Sequence, residues 1–429
     1  MSTWRPISDF EAPYFHAGSG PDALPLHDMA LHLGSTVSER LDPASVEQAL
    51  DALRTRHPLL RCLPEQTGTA AVLRLRPDAE PWLSVHEVTD EQFEAAYLRS
   101  LNDRPDWRQG LFGARLFLCG DRSRVTLLVH HGVADGVSGL ALVRRFWEAY
   151  RAVRRGDPAS GAPVTDVIPP AVDTVLASAF PEHDLDPLAV APQIPPVPPL
   201  LLHEDAQGTG SAALRFVPRR HLFSRRQTAR LRQLARRRGI TLNSLLTGAL
   251  LTAVRAERPD VTAPAGMLCG HAVDLRSART PALTGETLVN CVGGIATPAE
   301  VSLDDPSLRI AAHVDDLVKR MRKESLPERL MLAALRNRSA QAQSAAPRVS
   351  CGISNLGEVA PIPGPSGTPV DLEVHGNAPG MPPKLCVYTY DGRLTVQHEY
   401  DSRVHADATM ASLRHRLTTD LAGLAADAA

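Results

Sequence analysis

The chain has 429 residues, more than a single hydrophobic core normally holds, so two lobes are expected, each large enough to bury a core of its own. Its 46 Lys and Arg stand against 48 Asp and Glu, and a net charge of -2 leaves no electrostatic footprint for nucleic acid and no basic block for an anionic membrane. No apolar run approaches bilayer-spanning length, and the opening Met1-Ser2-Thr3-Trp4-Arg5-Pro6 lacks the apolar heart of a signal peptide.

Cys62, Cys119, Cys269, Cys291, Cys351 and Cys386 are scattered and form no CxxC pair, which predicts reduced thiols and a soluble, cytoplasmic protein. The first clear helix starts at Asp42, a natural N-cap followed by Pro43, with Val46, Ala49, Leu50 and Leu53 at helical spacing. It leads into Arg56-His57-Pro58-Leu59-Leu60-Arg61.

The most informative stretch is Val125-Thr126-Leu127-Leu128-Val129-His130-His131-Gly132-Val133-Ala134-Asp135-Gly136, an apolar strand that ends in HHxxxDG. Neighbouring side chains on a strand face opposite sides, so only one of His130 and His131 enters a given cleft while the other supports it. Gly132 and Gly136 are expected to let the backbone bend sharply, and Val137 to Val153 reads as a helix with Leu140, Val143, Trp147 and Tyr150 on one face. Isolated His-His pairs are mostly ordinary core or surface residues, but here the strand, the Asp and the Gly agree. A zinc site ranks well below acid/base chemistry, because no further His, Cys or carboxylate completes a ligand set locally, and no metal is expected.

Beyond Arg154 the periodicity fades, and Pro192, Pro195, Pro196, Pro198 and Pro199 rule out regular helix. The domain reading is therefore an N-terminal lobe over 1–155, a Pro-rich crossover over 156–210 and a C-terminal lobe over 211–429. In the second lobe a strand is expected near Ala213 to Val217, then a helix capped by Ser224 with Gln227 at capping-box spacing and stopped by Gly239. Thr241 caps the next helix, which buries Leu242, Leu245, Leu246, Ala249 and Leu250. Further strands are expected at Gly266 to Cys269, Cys291 to Ala296, Ser350 to Ile353, Leu385 to Thr389 and Leu394 to His398, with a loop near the cleft at Gly376-Asn377-Ala378-Pro379-Gly380. The Arg residues at 225, 226 and 236–238 read as solvated helix faces, some of which can meet an acidic carrier protein.

The HHxxxDG stretch resembles the signature of the CoA-dependent acyltransferase superfamily, which includes chloramphenicol acetyltransferase, nonribosomal peptide condensation domains and the polyketide-associated acyltransferases. Three further segments agree in order along the chain: RHPLLR at 56–61 is similar to an RHxxLR motif, Val273-Asp274-Leu275-Arg276 to a VNLR-type segment, and Ile353-Ser354-Asn355-Leu356-Gly357 to an SNLG-type segment. The resemblance implies an α/β fold of two chloramphenicol-acetyltransferase-like sandwich lobes that form a V around a central cleft, entered from both sides by donor and acceptor. One chain then carries both lobes, so a monomer is expected.

By the same resemblance His131 is the general base and His130 supports it. Asp135 is structural, ordering the loop with Gly136, and its partner is Arg276 first and Arg61 second. An alcohol or protonated amine needs a base to take its proton, and a thioester already supplies its leaving group, so no Ser or Cys nucleophile is required. Ser354, Asn355 and Asn290 are candidate donors to the tetrahedral oxyanion, although a buried turn residue is the commoner role for any of them.

Among the branches, the chain most resembles the free-standing polyketide-associated O-acyltransferases similar to phthiocerol dimycocerosyl transferase. Acyl-CoA or an acyl-phosphopantetheinyl carrier protein is then the co-substrate, no cofactor is bound, and a hydroxyl of a polyketide, lipid or other secondary metabolite is the acceptor. The alternatives are a condensation enzyme that forms an amide or ester from a carrier-bound acyl group, and a recruitment module that binds a carrier protein without catalysis.

Overall fold

The computed structural model describes residues 3–16, 27–68, 70–157, 165–180, 198–204, 214–336 and 348–427. The first half runs β1 (Trp4–Pro6), α1 (Ala12–Phe15), β2 (Ala30–Val37), α2 (Pro43–Arg56), β3 (Cys62–Thr67), β4 (Ala70–Leu75), β5 (Trp82–Glu87), α3 (Asp90–Ser100), β6 (Phe112–Cys119), β7 (Arg122–His130), α4 (Gly136–Arg154) and α5 (Val172–Ala177). The second half runs β8 (Arg219–Leu222), α6 (Arg225–Arg237), α7 (Leu242–Ala256), β9 (Ala265–Asp274), β10 (Val292–Val301), α8 (Ser307–Lys323) and α9 (Leu326–Arg336). It ends with β11 (Cys351–Val359), β12 (Asp371–Gly376), β13 (Lys384–Tyr390), β14 (Arg393–Glu399) and α10 (Asp407–Asp427).

The result is an α/β protein with one large sheet and its own core in each half. The first sheet has the order β12-β2-β7-β6-β5 and the second the order β10-β9-β11-β13-β14-β8, with a small β1-β4-β3 sheet beside them. Helices α2 and α4 pack on each other and bury Val46, Leu50, Leu53, Val143, Trp147 and Tyr150 in the first core. Asp42 caps α2 as expected, its carboxylate accepting from the Ser45 backbone N–H at 2.9 Å. The second core is filled from α6, α7, α10 and the inner strands, with Leu231, Leu245, Leu250, Val387 and Leu413 fully enclosed. Ser224 and Gln227 form the expected capping box, Thr241 caps α7, and Gly239 ends α6 at a positive φ of 68°.

β7 lies between β2 and β6, and from Ser123 to His130 every residue of it is buried, as a central strand requires. Its end is a rigid mount. The antiparallel pairing with β2 sets Ala30 opposite His130, so the two histidines emerge where the strand leaves the sheet.

Several sequence expectations are corrected. The strand expected near Ala213 to Val217 lies at Arg219–Leu222 instead; Ala213 itself lies outside the described residues. Over 214–216 other contacts take the place of a strand ladder: the Asn102 side chain bonds the N–H and carbonyl of Phe216, and Ser402 donates through its hydroxyl to the Leu214 carbonyl and through its backbone N–H to the Arg215 carbonyl. Pro218, which has no N–H, then delays the strand. The five other strands of the second lobe run longer than expected at one or both ends.

The crossover contains α5, whose Val172 and Leu176 are buried in the first core together with Phe180, while Leu202 near its other end is buried in the second. Pro192, Pro195 and Pro196 lie outside the described residues. The largest departure is β12, which leaves the second half to pair antiparallel with β2, from Asp371 opposite Thr36 to Gly376 opposite Leu31. One strand of the first sheet is therefore lent by the second half of the chain, and it ends at the Gly376 loop.

Candidate active site

His131 follows β7 in a single 3-10 turn, His131–Val133, and its backbone N–H donates to the Met29 carbonyl at 2.8 Å. The residue is 9% exposed, and its ring stacks on Tyr14 with centroids 5.3 Å apart. Nδ1 is buried without a hydrogen-bond partner among the described residues, which leaves Nε2 as the nitrogen able to work on a substrate. Burial is the main reason that its pKa falls to about 4; its own carbonyl and Asp135 pull the other way, and Lys384 adds to the depression. The ring is therefore a neutral base.

His130 points elsewhere. Its Nδ1 accepts from the Gly132 N–H at 3.1 Å, Phe15 stacks on it at 4.4 Å, and Trp107 meets it edge-on. Burial first, then the neighbouring His131 and His27, lower its pKa to about 3, so it too is neutral. It forms part of a pocket of about 610 Å³ lined by Phe15, Asp28, Arg104, Trp107 and Leu111. His130 thus braces the turn on which His131 stands.

Asp135 is the N-cap of α4 and is 3% exposed. One carboxylate oxygen accepts from the Ser138 N–H at 2.9 Å. The other accepts from Arg276 at 2.8 Å and from the Cys291 N–H at 2.6 Å, so this one side chain joins the His loop to the β9–β10 connection of the other lobe. Arg276 in turn donates to the carbonyls of Thr284 and Val289 and to Asp274. The first expected partner is in place. Arg61, the second, is a correction: it bonds Asp166, the Thr165 carbonyl and the Arg54 carbonyl, and ties the crossover to the first lobe.

The two glycines are needed for a reason other than the one expected. Neither has a positive φ; instead a Cβ at Gly132 would meet Phe15 at 2.7 Å, and one at Gly136 would meet Leu356 at 2.4 Å. They permit close approach rather than an unusual bend. Leu356 on Gly136 also brings the SNLG segment of β11 against the start of α4.

The expected oxyanion donors fare unevenly. Asn355 is exposed, donates to Asn243 at 3.1 Å and accepts from the Gly357 N–H, and Ser354 is half-buried on β11. Asn290 is fully buried, its carbonyl accepts from the Val292 N–H at 3.1 Å, and its Nδ2 has no partner among the described residues. Sequence reasoning missed Tyr14, Phe15 and Trp107, whose rings wall the two histidines. It also passed over Lys384.

The described residues include no group of three or more His, Cys, Asp or Glu able to hold a metal ion, and no helix long and apolar enough to cross a membrane. Comparison with known proteins gives two family matches: the condensation domain over residues 30–171, and the C-terminus of phthiocerol/phthiodiolone dimycocerosyl transferase over residues 212–399. A chondramide synthase from Chondromyces crocatus is 26% identical over 90% of this chain, which spans 10% of that protein's length. The phthiocerol/phthiodiolone dimycocerosyl transferase of Mycobacterium ulcerans is 27% identical over 69% of each chain. Among solved structures, polyketide synthase associated protein 5 from Mycobacterium tuberculosis superposes with a TM-score of 0.68, at 19% identity and over 97% of both chains.

Proposed function

We propose, since this chain belongs to the CoA-dependent acyltransferase superfamily, that it moves an acyl group from a CoA or carrier-protein thioester to a hydroxyl of a polyketide, lipid or other secondary metabolite. The observation that carries the reading is His131: a buried, neutral imidazole on a turn fixed by Asp135 and Arg276 across both lobes. The acceptor hydroxyl loses its proton to Nε2 as its oxygen attacks the thioester carbon, and the proton then goes to the departing thiolate. Both substrates are bound at once. One chain supplies every residue of this arrangement, which suits a monomer, and the thioester brings its own driving force, so no resident cofactor enters the step. Unpaired thiols and a thioester donor suit the cytoplasm.

The transferase relative supports ester formation, while the condensation-domain match and the synthase relative support the second reading, an amide- or ester-forming condensation. A panel of alcohols and amines with one acyl-CoA donor separates them: exclusive use of amines replaces the first reading with the second. A carrier-binding module without catalysis predicts no thiol release with either.

Direct transfer predicts that donor alone leaves no acyl group on the protein. Cys291, whose N–H binds Asp135, illustrates why: burial chiefly pushes its thiol up to about 12, Arg276 only partly opposing, so almost no thiolate exists to attack. Intact-protein mass spectrometry after exposure to acyl-CoA is expected to show unmodified mass, and initial rates to show a sequential pattern. A stable adduct that chases to the acceptor overturns the single-step mechanism.

The depressed pKa sets the acid limit of activity. Because His131 stays neutral until pH falls to about 4, kcat/KM should hold its plateau through pH 6 and fall with a midpoint near 4. A midpoint at the ordinary imidazole value of about 6.5 shows a solvated ring and contradicts the burial described above.

A further inference from the structure

Next to His131 lies a buried polar network that the steps above do not use. Lys384, at the start of β13, and Glu399, at the end of β14, face each other across an antiparallel pair. Lys384 Nζ forms an ion pair with Glu399 at 3.0 Å and donates to the Gly376 carbonyl at the end of β12. A Cβ placed on Gly376 would lie 4.0 Å from Cδ2 of His131, so the carbonyl that Lys384 holds belongs to a residue beside the catalytic ring.

The pair has a direction. Glu399 is 1% exposed, whereas the Lys384 side chain is 22% exposed, so the anion is walled in and the cation lies on the open side. Gln397 donates to Glu399 at 2.6 Å, and His375 Nδ1 lies 3.5 Å from the same carboxylate. Burial alone would push Glu399 up, but Lys384 and His375 outweigh it and bring its pKa down to about 2, so the carboxylate is ionised and holds the ammonium in place. An ammonium has three N–H donors; the Gly376 carbonyl takes one, and Glu399 holds the group at ion-pair distance.

We propose that Lys384 is the oxyanion donor of the reaction, an N–H not bonded to Gly376 donating to the thioester carbonyl oxygen as charge develops on it. The inference rests on the acyl-transfer reading given above. As the acceptor oxygen bonds to the thioester carbon, the carbonyl π pair moves to oxygen and Lys384 donates to it, while the acceptor's proton passes to His131. On collapse the π bond re-forms, the C–S bond breaks, and His131 returns the proton to the thiolate. Of the donors expected from the sequence, Asn355 is engaged by Asn243, and Asn290 is sealed in the interior.

The charge balance also favours this placement. In the free enzyme Lys384 disfavours an imidazolium at His131. Once the oxyanion forms, its charge is matched by the ammonium, and that penalty disappears. Proton transfer and attack are thereby coupled.

The test uses the full chain with octanoyl-CoA as donor and 1-octanol or octylamine as acceptor, reading thiol release. Lys384→Met should lose about 100- to 1,000-fold in kcat, the effect of removing one oxyanion donor, with KM for both substrates nearly unchanged. Its acid limb in kcat/KM should move to higher pH, because a positive charge beside His131 is gone; the loss of kcat on the pH plateau at unchanged KM is what a purely structural tie does not give. Lys384→Arg keeps the cation and the pair with Glu399, and should keep the wild-type acid limb and more of kcat than Lys384→Met. Circular dichroism checks folding. Wild-type transfer with a folded Lys384→Met at full rate, or with an unmoved acid limb, sinks this inference alone. If neither variant folds, Lys384 is a structural tie and the inference is overturned; a wild type that transfers to neither acceptor overturns the acyl-transfer reading and this inference together.

Discussion

His131→Ala should cut turnover by about two to four orders of magnitude, the usual contribution of a positioned base, and leave the fold intact. The asymmetry follows from what the side chain does. Its backbone N–H holds the turn through Met29, and that bond survives the substitution. The ring contributes its stacking on Tyr14 and no side-chain hydrogen bond at Nδ1, so its removal leaves a modest cavity. His130→Ala should behave in the opposite manner, because it strips the Gly132 N–H of its acceptor and empties the space between Phe15 and Trp107. Steady-state rates and thermal melts on the two variants separate the roles. Near-wild-type turnover by folded His131→Ala removes the assignment and puts the base at another residue.

How much of this was legible depended on the range of the interaction. Asp42, Ser224 and Thr241 announce their helices because a cap is made within three residues, and HHxxxDG announces its strand, turn and helix for the same reason. The Asp135–Arg276 pair was named only through resemblance, since nothing local ties a residue on α4 to the β9–β10 connection. β12 escaped altogether: its Leu372 and Val374 are too few to signal a strand, and the partner that makes them one is β2, at the far end of the chain. Tyr14 and Lys384 escaped for a related reason. Each matters through what β2, β7 and β12 bring beside His131, and spacing along the sequence carries no trace of that. Gly132 and Gly136 show a subtler failure, in which the residue type was read correctly and its cause was not: the neighbours that exclude a Cβ, Phe15 and Leu356, come from distant segments.

Asp135→Asn should lower both stability and activity. An amide has one acceptor where the carboxylate has two, and all of Asp135's partners donate: Ser138 on one oxygen, Arg276 and the Cys291 N–H on the other. Whichever way the amide is turned, an NH₂ faces an N–H. The Arg276 side chain, 7% exposed, keeps Asp274 as a half-exposed partner but loses the buried one, and breaking a buried ion pair from one side costs about 3–5 kcal/mol. A loss of that size should lower the thermal midpoint by several degrees and release the loop that aims His131. Arg276→Met should do much the same, and the double variant should lose less than the sum of the two, because both substitutions break one shared contact. Arg61→Ala, which loosens the crossover at Thr165 and Asp166 and the tie to the Arg54 carbonyl but takes nothing from Asp135, should leave turnover close to wild type. An Asp135→Asn protein as stable as the wild type yet inactive would instead place Asp135 in the proton chemistry itself. The geometry argues for the structural outcome: both carboxylate oxygens are already occupied by protein donors, so neither has a lone pair directed at a substrate.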